Sequence, residues 1–174
     1  DVFVADIDSD GDMDIVAASR EDDTISWYEN NGAADPTFAA ADLATSADYA
    51  HGIFAADMDG DGDLDIISAS ETDDKIAWYE NDGAANPTFA YASIATTADE
   101  ASDIQVADVD GDGDLDIISA SEADDTIAWY INDGAKDPTW TAVDIATNAD
   151  GAMNVYVADI DGDGDLDIVS ASIY

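Results

Sequence analysis

The stretch Asp57-Met58-Asp59-Gly60-Asp61-Gly62-Asp63-Leu64-Asp65 sets five carboxylates at alternate positions of nine residues. Gathered inside a folded chain, carboxylates this close repel one another and lose solvent unless a cation draws them together. The same pattern stands at Asp6 to Asp14, Asp108 to Asp116 and Asp159 to Asp167, each copy starting 51 residues after the one before. A constant period of that length marks a repeat architecture.

Hard divalent cations take oxygen ligands, and calcium gathers roughly six to eight of them at about 2.3–2.6 Å. Counting Asp57 as position one, carboxylates fall at positions one, three, five and nine. Gly62 at position six lets the backbone turn sharply and present the carbonyl of position seven, Asp63, whose side chain is then expected in solvent. The candidate metal residues are therefore Asp6, Asp8, Asp10, Asp12 and Asp14; Asp57, Asp59, Asp61, Asp63 and Asp65; Asp108, Asp110, Asp112, Asp114 and Asp116; and Asp159, Asp161, Asp163, Asp165 and Asp167. One calcium ion per loop, about four in all, is the expected cofactor. The first copy carries Ser9 and Met13 where later copies have Gly and Leu, and neither is a proposed ligand.

An EF-hand loop also begins D-x-D-x-D-G, but it needs a bidentate Glu at position twelve and a helix on each side. Position twelve here is Ser68, Ser119 or Ser170 in the last three copies. The flanks, Ile53-Phe54-Ala55-Ala56 and Ile66-Ile67-Ser68-Ala69-Ser70, are short and rich in β-branched or apolar residues, which predicts strands. A plain solvated hairpin explains Asp-Gly pairs. It does not explain Asp at positions one, three, five and nine in four copies.

In these loops the chain resembles the FG-GAP or VCBS-type repeats, related to the blades of the integrin α-subunit propeller, whose calcium loops read D-x-D-x-D-G-x-x-D. The resemblance extends along the whole chain, because the Trp27-Tyr28, Trp78-Tyr79 and Trp129-Tyr130 segments recur at the same period. It implies an all-β fold of four-stranded antiparallel β-propeller blades, with calcium in the hairpin between the first two strands of each. Residues 1–174 are then a single partial propeller: repeats 1–51, 52–102 and 103–153, with a half repeat 154–174. An adhesion or ligand-binding module, integrin-like or lectin-like, is the function it implies. The alternative is a non-catalytic or truncated part of a polysaccharide-processing enzyme.

Composition narrows the partners. Against 43 acidic residues stand three basic ones, Arg20, Lys75 and Lys136, for a formal charge of −40. Phosphate binding needs clustered Lys and Arg, so nucleic acid is excluded and an anionic membrane surface is repelled. No apolar run is long enough to span a bilayer. An apolar content of 47% still predicts a buried core rather than disorder. There is no cysteine, so disulfides say nothing of the compartment. Loops of this kind fill where calcium is abundant, which predicts an extracellular, secreted or cell-surface location. The start at Asp1 in mid-repeat leads us to expect a piece of a longer chain.

Each repeat predicts an inner strand, the loop, a second strand, a polar turn (Glu21-Asp22-Asp23 and its copies), a third strand carrying Trp-Tyr, an Asn/Asp-Gly turn, and an alanine-rich outer strand. The polar turn is read as a solvated tip in preference to a second cation site. Trp27 and Tyr28 must face opposite sides of their blade. They are read as inter-blade packing, with sugar stacking in a cleft between blades as the sharper alternative. His51, replaced by Ser102 and Met153 in later repeats, is given no catalytic role. Catalysis is not expected, because an enzyme needs one asymmetric constellation and every carboxylate cluster here recurs. Partners are expected to be a protein or a glycan, with self-association through open blade edges.

Overall fold

The computed structural model describes residues 1–173; Tyr174 lies outside the described residues. It is all-β, with fourteen strands and, among the described residues, no helix. The first blade holds β1 (Val2–Ala5), β2 (Asp14–Ser19), β3 (Thr24–Asn30) and β4 (Phe38–Ala44) in that spatial order, every pair antiparallel. The second repeats it with β5 (Ala50–Ala56), β6 (Asp65–Ser70), β7 (Lys75–Asn81) and β8 (Phe89–Ala95). The third has β9 (Ala101–Ala107), β10 (Asp116–Ser121), β11 (Thr126–Asn132) and β12 (Trp140–Ala146). The last sheet pairs β13 (Ala152–Ala158) with β14 (Asp167–Ser172) alone. Inner strands begin at Ala50, Ala101 and Ala152, slightly ahead of the repeat starts counted from the sequence.

The sheets stand side by side, β5 against β9 and β9 against β13, in a propeller-like stack that is not closed into a barrel. Burial along the second strands reports this stacking. Strand β2 alternates buried and half-buried residues, whereas every residue of β6 and β10 is buried, as a sheet covered on both faces requires. The outer strands β4, β8 and β12 are mostly exposed.

One hydrophobic core fills each seam between neighbouring blades, and two repeats supply it. Ile7, Val16 and Trp27 from the first blade meet Ile53, Ile66 and Tyr79 from the second. Met58, Ile67 and Trp78 meet Ile104, Ile117 and Tyr130 one repeat later. Ile118, Ile127 and Val155 fill the third seam, with Trp129 and Val109 packed against them. The indole of each Trp-Tyr pair thus faces the following blade, and the phenols of Tyr79 and Tyr130 face the preceding one, as strand alternation demands. Inter-blade packing is the reading of these aromatics that the structure bears out.

Polar side chains finish each seam. Asp23, Asp74 and Asp125, all at φ 56°, accept the N–H of Tyr49, Glu100 and Gly151 on Oδ1 and the N–H of Ala47, Ala98 and Ala149 on their carbonyls. The polar turn therefore clamps the linker that leads to the next inner strand. His51 Nδ1 pairs with the Ser102 carbonyl on the neighbouring inner strand.

Candidate metal centres

Each candidate centre sits where an inner strand ends and the second strand has not begun. Alternating carboxylates and two residues of positive φ curl the chain here. Position six is Gly11, Gly62, Gly113 or Gly164 at φ between 99° and 104°. Position four is Gly60, Gly111 or Gly162 at φ 74–80°, and Ser9 adopts φ 59° at the same place. The first carboxylate caps the curl: Asp57 Oδ2 accepts the Gly62 N–H at 3.0 Å, and Asp57 Oδ1 accepts the Asp61 N–H at 3.1 Å.

This curl brings positions one, three and five together. In the trios Asp6-Asp8-Asp10, Asp57-Asp59-Asp61 and Asp108-Asp110-Asp112, one oxygen from each residue lies within 4.8 Å of the others. In the fourth loop the convergent trio is Asp159, Asp161 and Asp167, positions one, three and nine. Two oxygens sharing an ion at about 2.4 Å from each are separated by no more than about 5 Å, so the spacing fits a hard cation.

Position nine plays a different part in the first three loops. Asp65 is 1% exposed, and its Oδ2 accepts the Met58 N–H at 3.1 Å while Oδ1 accepts the Asn81 N–H at 2.8 Å. Asp14 and Asp116 make the same pair of bonds. These carboxylates floor the loop, and each oxygen keeps a second lone pair. Position seven also departs from expectation. The Asp63 carboxylate is half-buried against Gly83 of the β7–β8 turn rather than free in solvent, and Asp12 and Asp114 lie in the same way on Gly32 and Gly134. Those glycines have φ 65–66° and no side chain, which leaves the room the carboxylate takes.

The electrostatics are those of a site built for positive charge. Desolvation, then repulsion from Asp61 and Asp57, raises the Asp59 carboxyl above its ordinary value, and Asp8 is raised by burial in the same manner. Burial raises Asp65 to about 6 and Asp116 in the same direction, against the lowering effect of their backbone hydrogen bonds. Asp6 Oδ1, Asp59 Oδ2 and Asp108 Oδ1 are buried with no hydrogen-bond partner. An unpaired buried carboxylate oxygen is costly, and one occurs in each of these three loops. A bound cation removes that cost. The donor set is all oxygen, so the residues present fit a hard divalent ion.

Residues 6–68, 57–119 and 108–170 each match the FG-GAP-like repeat. The chain belongs to the FG-GAP-like repeat family. A search of curated proteins gives no match. Among solved structures, this FG-GAP-like chain is similar to an Agrocybe aegerita lectin studied for recognition of non-reducing terminal N-acetylglucosamine, at 24% identity and TM-score 0.64, over 97% of this chain and 45% of the lectin. It is also similar to the rhamnogalacturonan lyase YesW, at 16% identity and TM-score 0.58, over 98% of this chain and 39% of the lyase. The FG-GAP-like chain thus spans less than half the length of either, and the likeness is one of fold.

Other features lie on the seams. Glu71, Glu100 and Glu122 also converge, although Glu71 is paired with Arg20 Nη2 at 2.8 Å. A groove of about 430 Å³ between the first and second blades is lined by Leu43, Ser70, Asp73, Lys75, Tyr79 and Tyr91. The two tyrosine rings stand 5.7 Å apart at 60°, and Lys75 Nζ donates to Asp73 Oδ2 at 2.7 Å. The equivalent groove one repeat later is about 280 Å³, with Thr126 in place of Lys75 and Ala142 in place of Tyr91. The sequence pattern does not mark this groove, since its walls come from four strands of two repeats. Among the described residues no helix is long and apolar enough to cross a membrane.

Proposed function

We propose that this chain is a calcium-binding, extracellular propeller module in which the ion stabilises the hairpin between the first two strands of each blade, and which serves adhesion or ligand binding. The observation that carries the reading is a buried, unpartnered carboxylate oxygen on one residue of the convergent trio in each of three successive loops. Positions one, three and five would hold the ion, the position-seven carbonyl would add a backbone oxygen, and position nine would close the set from below. Calcium supplies charge neutralisation there and no bond-making chemistry. Its binding energy becomes folding energy, because the unfolded loop offers no preformed site. Calcium suits a loop with this much carboxylate better than magnesium, which keeps several waters and demands octahedral geometry.

Isothermal titration of the metal-free chain with calcium tests this. We expect about four ions bound, and about three for Asp61→Ala. A chain that takes up no calcium, and whose melting is untouched by chelation, overturns the reading. The module is non-catalytic in this account, because each carboxylate cluster recurs from blade to blade.

A second reading is favoured by the groove that carries Tyr79 and Tyr91. Aromatic walls with hydroxyls and an ion pair at the rim suit a neutral glycan that stacks and hydrogen-bonds. A glycan array probed with the wild type and with Tyr91→Ala tests it: specific binding lost in the variant supports the groove, and equal or absent binding rejects it.

A further inference from the structure

We propose that the metal loops of adjacent blades are thermodynamically coupled through Asn81 and Asn132, so that filling one loop raises the affinity of the loop on the next blade. The proposal rests on the calcium reading above and concerns how the sites act together.

The connection begins at position two of each loop, a residue placed between two candidate ligands. Ile7 and Met58 bury their side chains in the seams. Their N–H groups donate to the position-nine carboxylates Asp14 and Asp65 of their own loops, at 3.2 and 3.1 Å. Their carbonyls accept hydrogen bonds from the next blade, Ile7 from Asn81 Nδ2 at 3.0 Å and Met58 from Asn132 Nδ2 at 2.9 Å. The same amide groups donate to position eight of the loops in their own blades, Asn81 to the Leu64 carbonyl at 3.0 Å and Asn132 to the Leu115 carbonyl at 3.1 Å. One NH2 group therefore ties two loops together.

The network is continuous. From Asp14 it passes through Ile7 to Asn81, from the Asn81 N–H to Asp65, from Asp65 to Met58, and from Met58 to Asn132 and Asp116. Asn81 and Asn132 are each 2% exposed, so water does not replace a lost acceptor. A loop that opens when it loses its ion takes one carbonyl away from the shared amide. A loop that closes on an ion returns it, and the neighbouring loop then closes onto an amide already held in place. Each of the first three loops is then a two-state element biased both by its own ion and by a shared amide, which is what coupling requires. One buried hydrogen bond sets the scale at about fivefold in affinity, reciprocal between neighbours. Among the described residues no such amide joins the third loop to the fourth, so the fourth serves as an internal control.

Each loop carries its own reporter. The N–H groups of Gly11, Gly62, Gly113 and Gly164 donate to Asp6, Asp57, Asp108 and Asp159 at 3.0–3.1 Å, so four glycine amide signals follow the four loops separately. The experiment is a calcium titration of the full nitrogen-15-labelled chain by NMR, as wild type, as Asp61→Ala, as Asn81→Ala with Asn132→Ala, and as all three substitutions together. Emptying the second loop is expected to move the Gly11 and Gly113 midpoints to about fivefold higher calcium and to leave Gly164 where it was. Removing the two amides as well is expected to abolish the difference that Asp61→Ala makes, measured against the Asn81→Ala and Asn132→Ala chain. Unchanged Gly11 and Gly113 midpoints in Asp61→Ala overturn the coupling, and so does a shift that persists without the amides. Should the multiply substituted chain fail to fold, Asp61→Ala against wild type decides alone. If no glycine signal moves with calcium in the wild type, the metal reading itself falls.

Discussion

The backbone N–H of Asn81 donates to Asp65 Oδ1 at 2.8 Å, joining the end of β7 to the carboxylate that opens β6. Asp65 Oδ2 holds the Met58 N–H as well, so this residue serves folding before it serves an ion. Replacing it by Ala strands two buried donors. Asp65→Ala is expected to lose about 2–4 kcal/mol of stability even without calcium. Asp61→Ala, which is exposed, is expected to lose little under the same conditions. Thermal melts of both variants in metal-free buffer check the contrast.

Removing calcium acts on all the loops at once. At an ion concentration about a hundredfold above the dissociation constant, one site contributes about 2.7 kcal/mol. Several such sites in a domain of this size imply a melting temperature lower by roughly 10 °C or more after chelation. Differential scanning calorimetry with calcium and then with excess chelator measures it.

The pH dependence of the metal-free chain follows from Asp65. Burial raises its carboxyl to about 6, against 3.8 for an ordinary aspartate. Between those values the folded state binds more protons than the unfolded state, so stability falls as pH rises. The contribution is complete below the unfolded value and is lost as pH passes through about 6. Asp116, also raised by burial, adds in the same direction. Melts of resin-stripped protein are expected to show higher stability near pH 4.5 than at pH 7.5, on the order of 2 kcal/mol. Calcium is expected to reverse the trend, because the ion competes with the proton.

Gly83 tests how the position-seven carboxylate is seated. A Cβ at Gly83 would lie 2.1 Å from Asp63 Oδ2, and its φ is 65°. Gly83→Ala is expected to cost about 2–3 kcal/mol, from the clash and the left-handed backbone together. Adding Asp63→Ala is expected to recover the steric part and leave about 1 kcal/mol. Chemical denaturation of the single and double variants separates the two.

Ser9 adopts φ 59° where the other three loops place glycine. Ser9→Gly is expected to raise stability by about 0.5 kcal/mol, because relief of the left-handed strain outweighs the added freedom of the unfolded chain. A urea midpoint measured with calcium present checks it.

The repeat period, the strand order and the loop between the first two strands are legible because each is a local pattern. Alternating carboxylates, Asn-Gly and Asp-Gly turns and period-two apolar runs need no tertiary information. The acidic turns read differently from sequence and structure. Asp23 looks like a solvated tip, yet it clamps Tyr49 from 26 residues away. Asp63 looks free because the glycine that receives it belongs to a turn two strands on. Asn81 looks like a turn former, and its bond to Ile7 crosses 74 residues and a blade boundary. These contacts depend on how blades stack, which pairwise strand patterns do not contain.

The position-two residues, Ile7, Met58 and Val109, are shared by two structures, since each lies inside a carboxylate loop and also contributes to an apolar seam. Each added 51-residue step therefore brings a loop together with the seam residue it carries. Duplication of one such unit reproduces its own contact surface without further adjustment. Arrays of this kind therefore grow by copying, and divergence is free to collect in the outer strands, where Phe38, Tyr91 and Val143 already face solvent.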